Sequence, residues 1–249
     1  MPDTRSHRGP HPNDHLLFAH DQLPRLRRAV ADYSWLLSHG YPPHASLKLV
    51  GDHLALPQRQ RLAVMRSACS QASLTRRRST RIRPSSLAGQ HLRLDGYNVL
   101  TTVEAALAHA VLLLGRDGCL RDLASVHGTW RKVEETCPAA VAIGRFLHHH
   151  LKRPPAACTW LLDKPVSNSG RLRALLLDRA AQNAWPWSVE LVFNPDALLA
   201  DTPDPVATSD SVILDRAAQW TNLARAVIET ILPTATLRPH ILNLAAPVA

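Results

Sequence analysis

The stretch LRLDGYNVLTT, residues 92–102, decides how the rest of the chain is read. Leu92 and Leu94 alternate with Arg93 as on a half-buried strand, and the run ends on Asp95, followed at once by Gly96 and then by Asn98. Period-two alternation cut off by a carboxylate and a glycine marks a strand end. The glycine is expected to let the backbone turn sharply there and to give a ligand close approach to the carboxylate. Taken alone, DGYN also suits an ordinary turn.

Downstream of this point, apolar strand-like runs alternate with helical ones, the grammar of βαβ units and a mostly parallel sheet. The pattern predicts strands over 91–95, 157–163, 188–193, 205–209 and 235–243. It predicts helices over 101–114 (closed by Gly115), 138–151 (opened by Pro138), 168–184 and 211–231. Between them, RDGCLRDLASVHGTW (116–130) reads as a long connection of the kind that carries function.

Upstream, residues 1–14 are polar and read as a disordered tail, with no apolar core behind the arginines to make a secretory leader. Residues 15–80 read as a small helical domain and 81–90 as a linker. Leu23, Leu26, Val30, Tyr33 and Leu37 share one face of a helix over 21–39 that Gly40 stops. A second helix fits 44–55, and a third starts at Pro57 and carries Leu62, Met65, Cys69 and Ala72 inward. Three such helices admit a helix-turn-helix or a cap packed on the second half.

The formal charge of +9 sits in this first third: residues 15–90 hold twelve Lys/Arg against three acids, while 91–249 balance at fifteen each. Such an excess suits either a phosphate backbone or a solvated helical surface.

No run approaches the ~18 apolar residues of a membrane span, so a cytoplasmic protein is expected. Cys69, Cys119, Cys137 and Cys158 are too scattered for a thiolate metal site and read as packed free thiols. Nucleophile-elbow, Walker and dinucleotide motifs are absent from the sequence. His148-His149-His150 point in different directions on a helix and read as a helix end, His127 as a loop residue, and Trp185 and Trp187 as packing at a helix-to-strand corner.

In an open parallel sheet ligands bind at the carboxyl ends of the strands. There the sequence puts Asp95, Asp163 (ACTWLLD), Asn194 and Asp196 (VELVFNPD), and Asp210 (VATSD), with Asp215 one turn further on. Each suits helix N-capping; gathered together, they would repel unless a hard cation, Mg²⁺ or Mn²⁺, stood among them.

Asp95-Gly96-Tyr97-Asn98, Trp160-Leu161-Leu162-Asp163 and Thr208-Ser209-Asp210 resemble three motifs of the PIN-like nuclease superfamily, in particular its NYN-type ribonuclease domains. The resemblance covers roughly 91–243 and implies a three-layer α/β/α domain over 91–249 whose Asp95, Asp163 and Asp210 hold a divalent ion. It also implies that Asn98 orients a ligand or water. PIN-like enzymes usually add an acid from a helix after the first motif, for which Glu104 is the nearby candidate, with Glu134 and Glu135 later; the closely spaced second acid of the last motif is missing, leaving Asp215 to substitute. Over nearly its whole length the chain also resembles an uncharacterised prokaryotic family with a small basic helical domain ahead of such a domain, through LKLVGDHLALPQRQRLAV, RDGCLRDLASVHG and WLLDKPVSNSGRL.

After Asp163, the residues Lys164, Ser167, Asn168, Ser169, Gly170 and Arg171 lead into a helix and form a candidate phosphate-binding loop, with simple N-capping as the alternative. The expected function is a metal-dependent ribonuclease with Asp95, Asp163, Asp210, Asp215 and Asn98 in its chemistry, and Asp95, Asp163, Asp210, Glu104 and Asp196 around Mg²⁺ or Mn²⁺. Its expected partner is nucleic acid, RNA foremost, with self-association open. A catalytically silent nucleic-acid-binding protein and a phosphatase of small phosphate esters are the alternatives.

Overall fold

In a computed structural model, residues 7–124, 128–232 and 240–245 are described. The chain is a mixed α/β protein with a helical N-terminal region and a five-stranded parallel sheet flanked by helices. The sheet consists of β1 (His91–Asp95), β4 (Ala157–Asp163), β5 (Trp187–Val192), β6 (Val206–Ala207) and β7 (Trp220–Thr221), in the order β5-β4-β1-β6-β7. Strand order reverses at β1, with β4 on one side and β6 on the other, so the switch point falls where Asp95 ends its strand.

The pleat sorts the residues of the sheet. Leu92 and Leu94 of β1 and Cys158, Trp160 and Leu162 of β4 enter one core under α6 (Gly96–Leu107), α7 (Thr136–Arg145), α8 (Ser169–Asn183) and α11 (Leu223–Thr230). Leu161 and Val206 enter the other core, under α9 (Pro195–Ala200) and α10 (Ser211–Leu214). Since side chains alternate along a strand and Asp95 pairs in register with Leu161, Asp95 and Asp163 belong to the α9/α10 face.

A second sheet, in the order β3-β2-β8, joins β2 (Val111–Leu114), β3 (Leu120–Asp122) and β8 (His240–Asn243). Here the expected helix over 101–114 is corrected. It begins earlier, at Gly96, and ends at Leu107, after which His109 takes a positive φ of 56° and VLLL becomes a strand. Leu112 faces the large core while Val111 and Leu113 face the helical region, and a segment buried on both faces carries no alternation to betray a strand.

The expected helix over 211–231 is likewise broken, into α10, β7 and α11. Trp220 is fully buried at the sheet edge, and Asn222 starts α11 by accepting from Arg225 N at 2.8 Å.

The N-terminal region holds α1 (Asp14–Leu17), α2 (Leu23–Ser38), α3 (Pro43–His53), α4 (Gln58–Ser67) and α5 (Gln71–Thr80). The third expected helix is thus two: Ala68 and Cys69 interrupt it, and Ser70 recaps α5 by accepting from Ser73 N at 3.0 Å. Met65, expected inward, is 44% exposed. The helices bury Leu26, Val30, Tyr33, Val50 and Val64 against Val111, Leu113 and Leu242 of the small sheet, so they pack on the α/β part as an added layer. Residues 7–14, within the stretch read as a disordered tail, pack as well. Arg8 Nε bonds Glu104 Oε2 at 3.0 Å, and Asp14, 2% exposed, pairs with Arg59.

Candidate functional site

The carboxyl edge of the parallel sheet and helices α2, α4 and α5 enclose an open cleft of about 910 Å³. Asp95, Asp163, Asp196 and Asp210 all line it, with Tyr97 and Asn98 from α6; Tyr41 and Met65 face it from the helical side. These four carboxylates therefore share one cleft.

Their wiring starts at Asp95. Thr208 Oγ1 donates to Asp95 Oδ2 at 2.7 Å and accepts from Asp210 N at 2.9 Å, so the TSD segment after β6 is hooked onto the end of β1. Asn98 Oδ1 accepts from both Ser209 N and Ser209 Oγ at 2.9 Å each, fixing the same segment one residue on. Asn98, expected to orient a ligand, thus spends its carbonyl on the chain itself. Asp210 caps α10 by accepting from Val212 N at 2.8 Å and Ile213 N at 3.3 Å through Oδ1.

Burial raises the Asp95 carboxyl to about 7, opposed by the Thr208 bond and reinforced by the charges of Asp210 and Asp196. Asp196 is raised too, by burial and then by Asp210 and Asp163. Tyr97 is pushed to about 12 by burial and by the charge of Asp163. Each group feels the charge of its neighbours. Two polar atoms in it, Asp163 Oδ1 and Tyr97 OH, are buried without a hydrogen-bond partner among the described residues.

Gly96 has a different role from the one expected. It is the first residue of α6 and its φ is not positive. A Cβ there would stand 2.5 Å from Leu162 Cδ2 and 2.9 Å from Leu161 O, so the glycine lets α6 start hard against β4.

Glu104 and Asp215 do not join the acidic group. Glu104 is fully buried between α6 and α7, accepting from Thr136 Oγ1 at 2.6 Å as well as from Arg8, and burial raises its carboxyl despite Arg8. Asp215, at the cleft margin, gives both oxygens to Arg77, at 2.7 and 3.0 Å. Sequence reasoning missed this network. Arg77, only 2% exposed, also binds Asp117 Oδ2 at 2.6 Å, and Arg121 forks onto both Asp117 oxygens at 2.9 and 2.6 Å. Arg121 Nε then reaches Ser209 O at 2.7 Å, tying the cleft wall to α5. Against the effect of burial, Arg121 and Arg77 hold Asp117 well below the usual carboxylate range. The Asp-x-x-x-Arg spacing of Asp117 and Arg121 was the one visible signal; Arg77 was lost within an arginine run.

Much of the N-terminal positive charge is absorbed in the same way: Arg28 and Lys48 form i,i+4 pairs, Arg61 pairs with Asp52, and Arg66 with Asp122.

The loop after Asp163 turns away from the acids. Of residues 164–171 only Val166 lines the cleft. Lys164 Nζ lies 4.6 Å over the Phe193 ring, Ser167 pairs with Thr129, Ser169 Oγ bonds Lys164 O at 3.4 Å, and Asn168 and Arg171 line a different pocket.

The histidine run lies in the π-helical turn Phe146–His150 that ends α7, a helix end as expected, and within it His148 Nε2 accepts from Trp187 Nε1 at 3.0 Å and is held at about 4 by burial and by His149. His127 lies outside the described residues, and the four cysteines are free thiols.

As the side chains stand, no three His, Cys, Asp or Glu among the described residues are gathered around one ion. A Mg²⁺-type ion keeps most of its water and takes one or two carboxylates directly. The orphaned Asp163 oxygen and the buried Asp95 carboxyl suit that mode of binding. No helix among the described residues is long and apolar enough to cross a membrane.

Residues 84–226 match the family described as "Domain of unknown function (DUF5616)", and residues 25–80 match "Protein of unknown function (DUF434)". The "Uncharacterized protein MJ0935" of Methanocaldococcus jannaschii is 29% identical over 191 residues, covering 76% of this chain and 88% of that protein. No solved structure matches.

Proposed function

Because the chain belongs to the family described as "Domain of unknown function (DUF5616)", a description that carries no activity, its chemistry is read from the cleft, and we propose a metal-dependent ribonuclease of PIN-like type. One observation carries this reading. Four aspartates share a cleft at the strand-order switch point, with Asp95 raised to about 7 and Asp163 Oδ1 left without a partner. Packing that many carboxylates together is costly unless a cation shares the space.

Asp163 and Asp95 would hold a divalent ion, with Asp196 and Asp210 lining the same cleft; Glu104 and Asp215 are left out, being spent elsewhere. Such an ion neutralises charge on a phosphodiester and makes a bound water acidic. Asp95, raised to about 7 chiefly by burial when no cation is beside it, would be held ionised by the ion it helps to bind. Thr208 stabilises its ionised form, and the Tyr97 hydroxyl is free to donate to an anionic oxygen. Asn98 and Arg121 keep the TSD segment in place through Ser209.

The test is Mn²⁺ binding by electron paramagnetic resonance. Wild type is expected to bind in the cleft, with Asp163→Asn weakening affinity by at least ~10-fold; an unchanged affinity would overturn the assignment. Some of the bonds favour the second reading, a silent nucleic-acid-binding protein: Asp210 Oδ1 is committed to its helix cap and Asp95 Oδ2 to Thr208. That reading predicts RNA binding with no turnover under any divalent metal.

A further inference from the structure

Two residues beyond Val166, on the far side of the loop that borders the acidic cleft, a second pocket of about 430 Å³ is lined by Trp130, Arg131, Lys132, Asn168, Arg171 and Leu175. Its cations come from two distant parts of the chain that the backbone clasps together. Ser167 N donates to Gly128 O and Trp130 N to Ser167 O, both at 2.9 Å, and Asn168 Nδ2 reaches Trp130 O at 3.0 Å. Arg131, Lys132 and Arg171 are exposed, and none of them has a carboxylate partner among the described residues. This contrasts with the N-terminal arginines, most of which are spent on acids or carbonyls. Trp130 is 2% exposed, yet its indole N–H has no hydrogen-bond partner. The pocket also stands at the first turn of α8, where Ser169, Arg171 and Leu172 N already bond carbonyls of the chain, so the side-chain cations supply its positive charge.

We infer that this pocket binds a phosphate group through Arg131, Lys132 and Arg171. Two guanidinium forks and an ammonium beside an unpartnered indole N–H provide donors in excess and no acceptor charge, which suits a phosphate group, whether the singly charged phosphodiester of a strand or a free phosphate of charge near −2. The source is a strand running out of the acidic cleft over Val166 or a free phosphate compound. A strand as ligand rests on the ribonuclease reading; the phosphate chemistry does not.

The experiment compares wild type with R131A/K132A/R171A, by calorimetry with inorganic pyrophosphate and by fluorescence anisotropy with a short single-stranded oligouridine across a salt series, without divalent metal. Binding is expected to weaken ~10-fold at low salt, and the salt slope for oligouridine to fall by about 0.7 for the one phosphate the pocket neutralises. Loss with oligouridine identifies a strand; loss with pyrophosphate alone identifies a free phosphate ligand. Unchanged binding of both overturns the inference. The side chains are exposed and unpaired, so the melting temperature should hold; should the triple variant fail to fold, K132E alone replaces it and is expected to weaken the same binding. D95N tests the cleft separately, since it should abolish cleavage while leaving this binding intact.

Discussion

Thr208 Oγ1 lies 2.7 Å from Asp95 Oδ2 and 2.9 Å from Asp210 N, so one hydroxyl joins the ends of β1 and β6. Its proton points to Asp95 and favours the ionised carboxylate, against burial and against the charges of Asp210 and Asp196. Thr208→Val is therefore expected to raise the Asp95 midpoint above its value of about 7 and to cost about 1–2 kcal/mol of stability. Thr208→Ser should restore both. Carboxyl ¹³C titration by NMR, with chemical denaturation alongside, measures the two effects.

The same carboxyl sets a pH dependence of stability. Its folded midpoint of about 7 lies above the ordinary 3.8, so the folded state holds a proton that the unfolded state has already released. Stability therefore falls as pH rises across that window, and the loss is complete above it. Asp95→Asn removes the effect and should raise the melting temperature at pH 8 in metal-free buffer, by about 2–4 °C per kcal/mol relieved. A melting temperature lowered by D95N at that pH would contradict the account of Asp95.

Gly96→Ala is expected to destabilise by about 1–3 kcal/mol, because the new Cβ overlaps the Leu161 carbonyl and the Leu162 side chain. Urea denaturation measures it. A neutral result would mean that α6 does not start as close to β4 as described.

Removing the charge of Asp117 leaves Arg77 and Arg121 buried with their shared partner gone. Asp117→Asn should cost about 3–5 kcal/mol by thermal denaturation, far more than Asp52→Asn on the exposed side of α3.

Strands β1 and β4 were legible to the residue, because alternation marks β1, an apolar run marks β4, and an aspartate closes both. Asp95, Asp163, Asp196 and Asp210 were also legible as a group, since strand ends in a parallel sheet converge. What could not be read has a common cause. β2 is apolar on both faces and mimics a helix end, and β7 is two residues at an edge, too short for a period. Glu104 and Asp215 looked available because nothing local shows that Arg8, 96 positions away, and Arg77, 138 away, come to claim them. Gly96 was legible as a special position but not for its reason, which is the neighbouring strand and not a turn.

The central claim is that the four aspartates serve a metal-dependent cut of RNA, and the most direct test is cleavage of single-stranded RNA by the purified full-length protein. Wild type is predicted to cut when Mn²⁺ is supplied and to stop with EDTA, while the folded Asp95→Asn and Asp163→Asn variants are predicted to lose cleavage. Cutting that persists in either variant, or a metal-loaded wild type that cuts no RNA, would contradict the account.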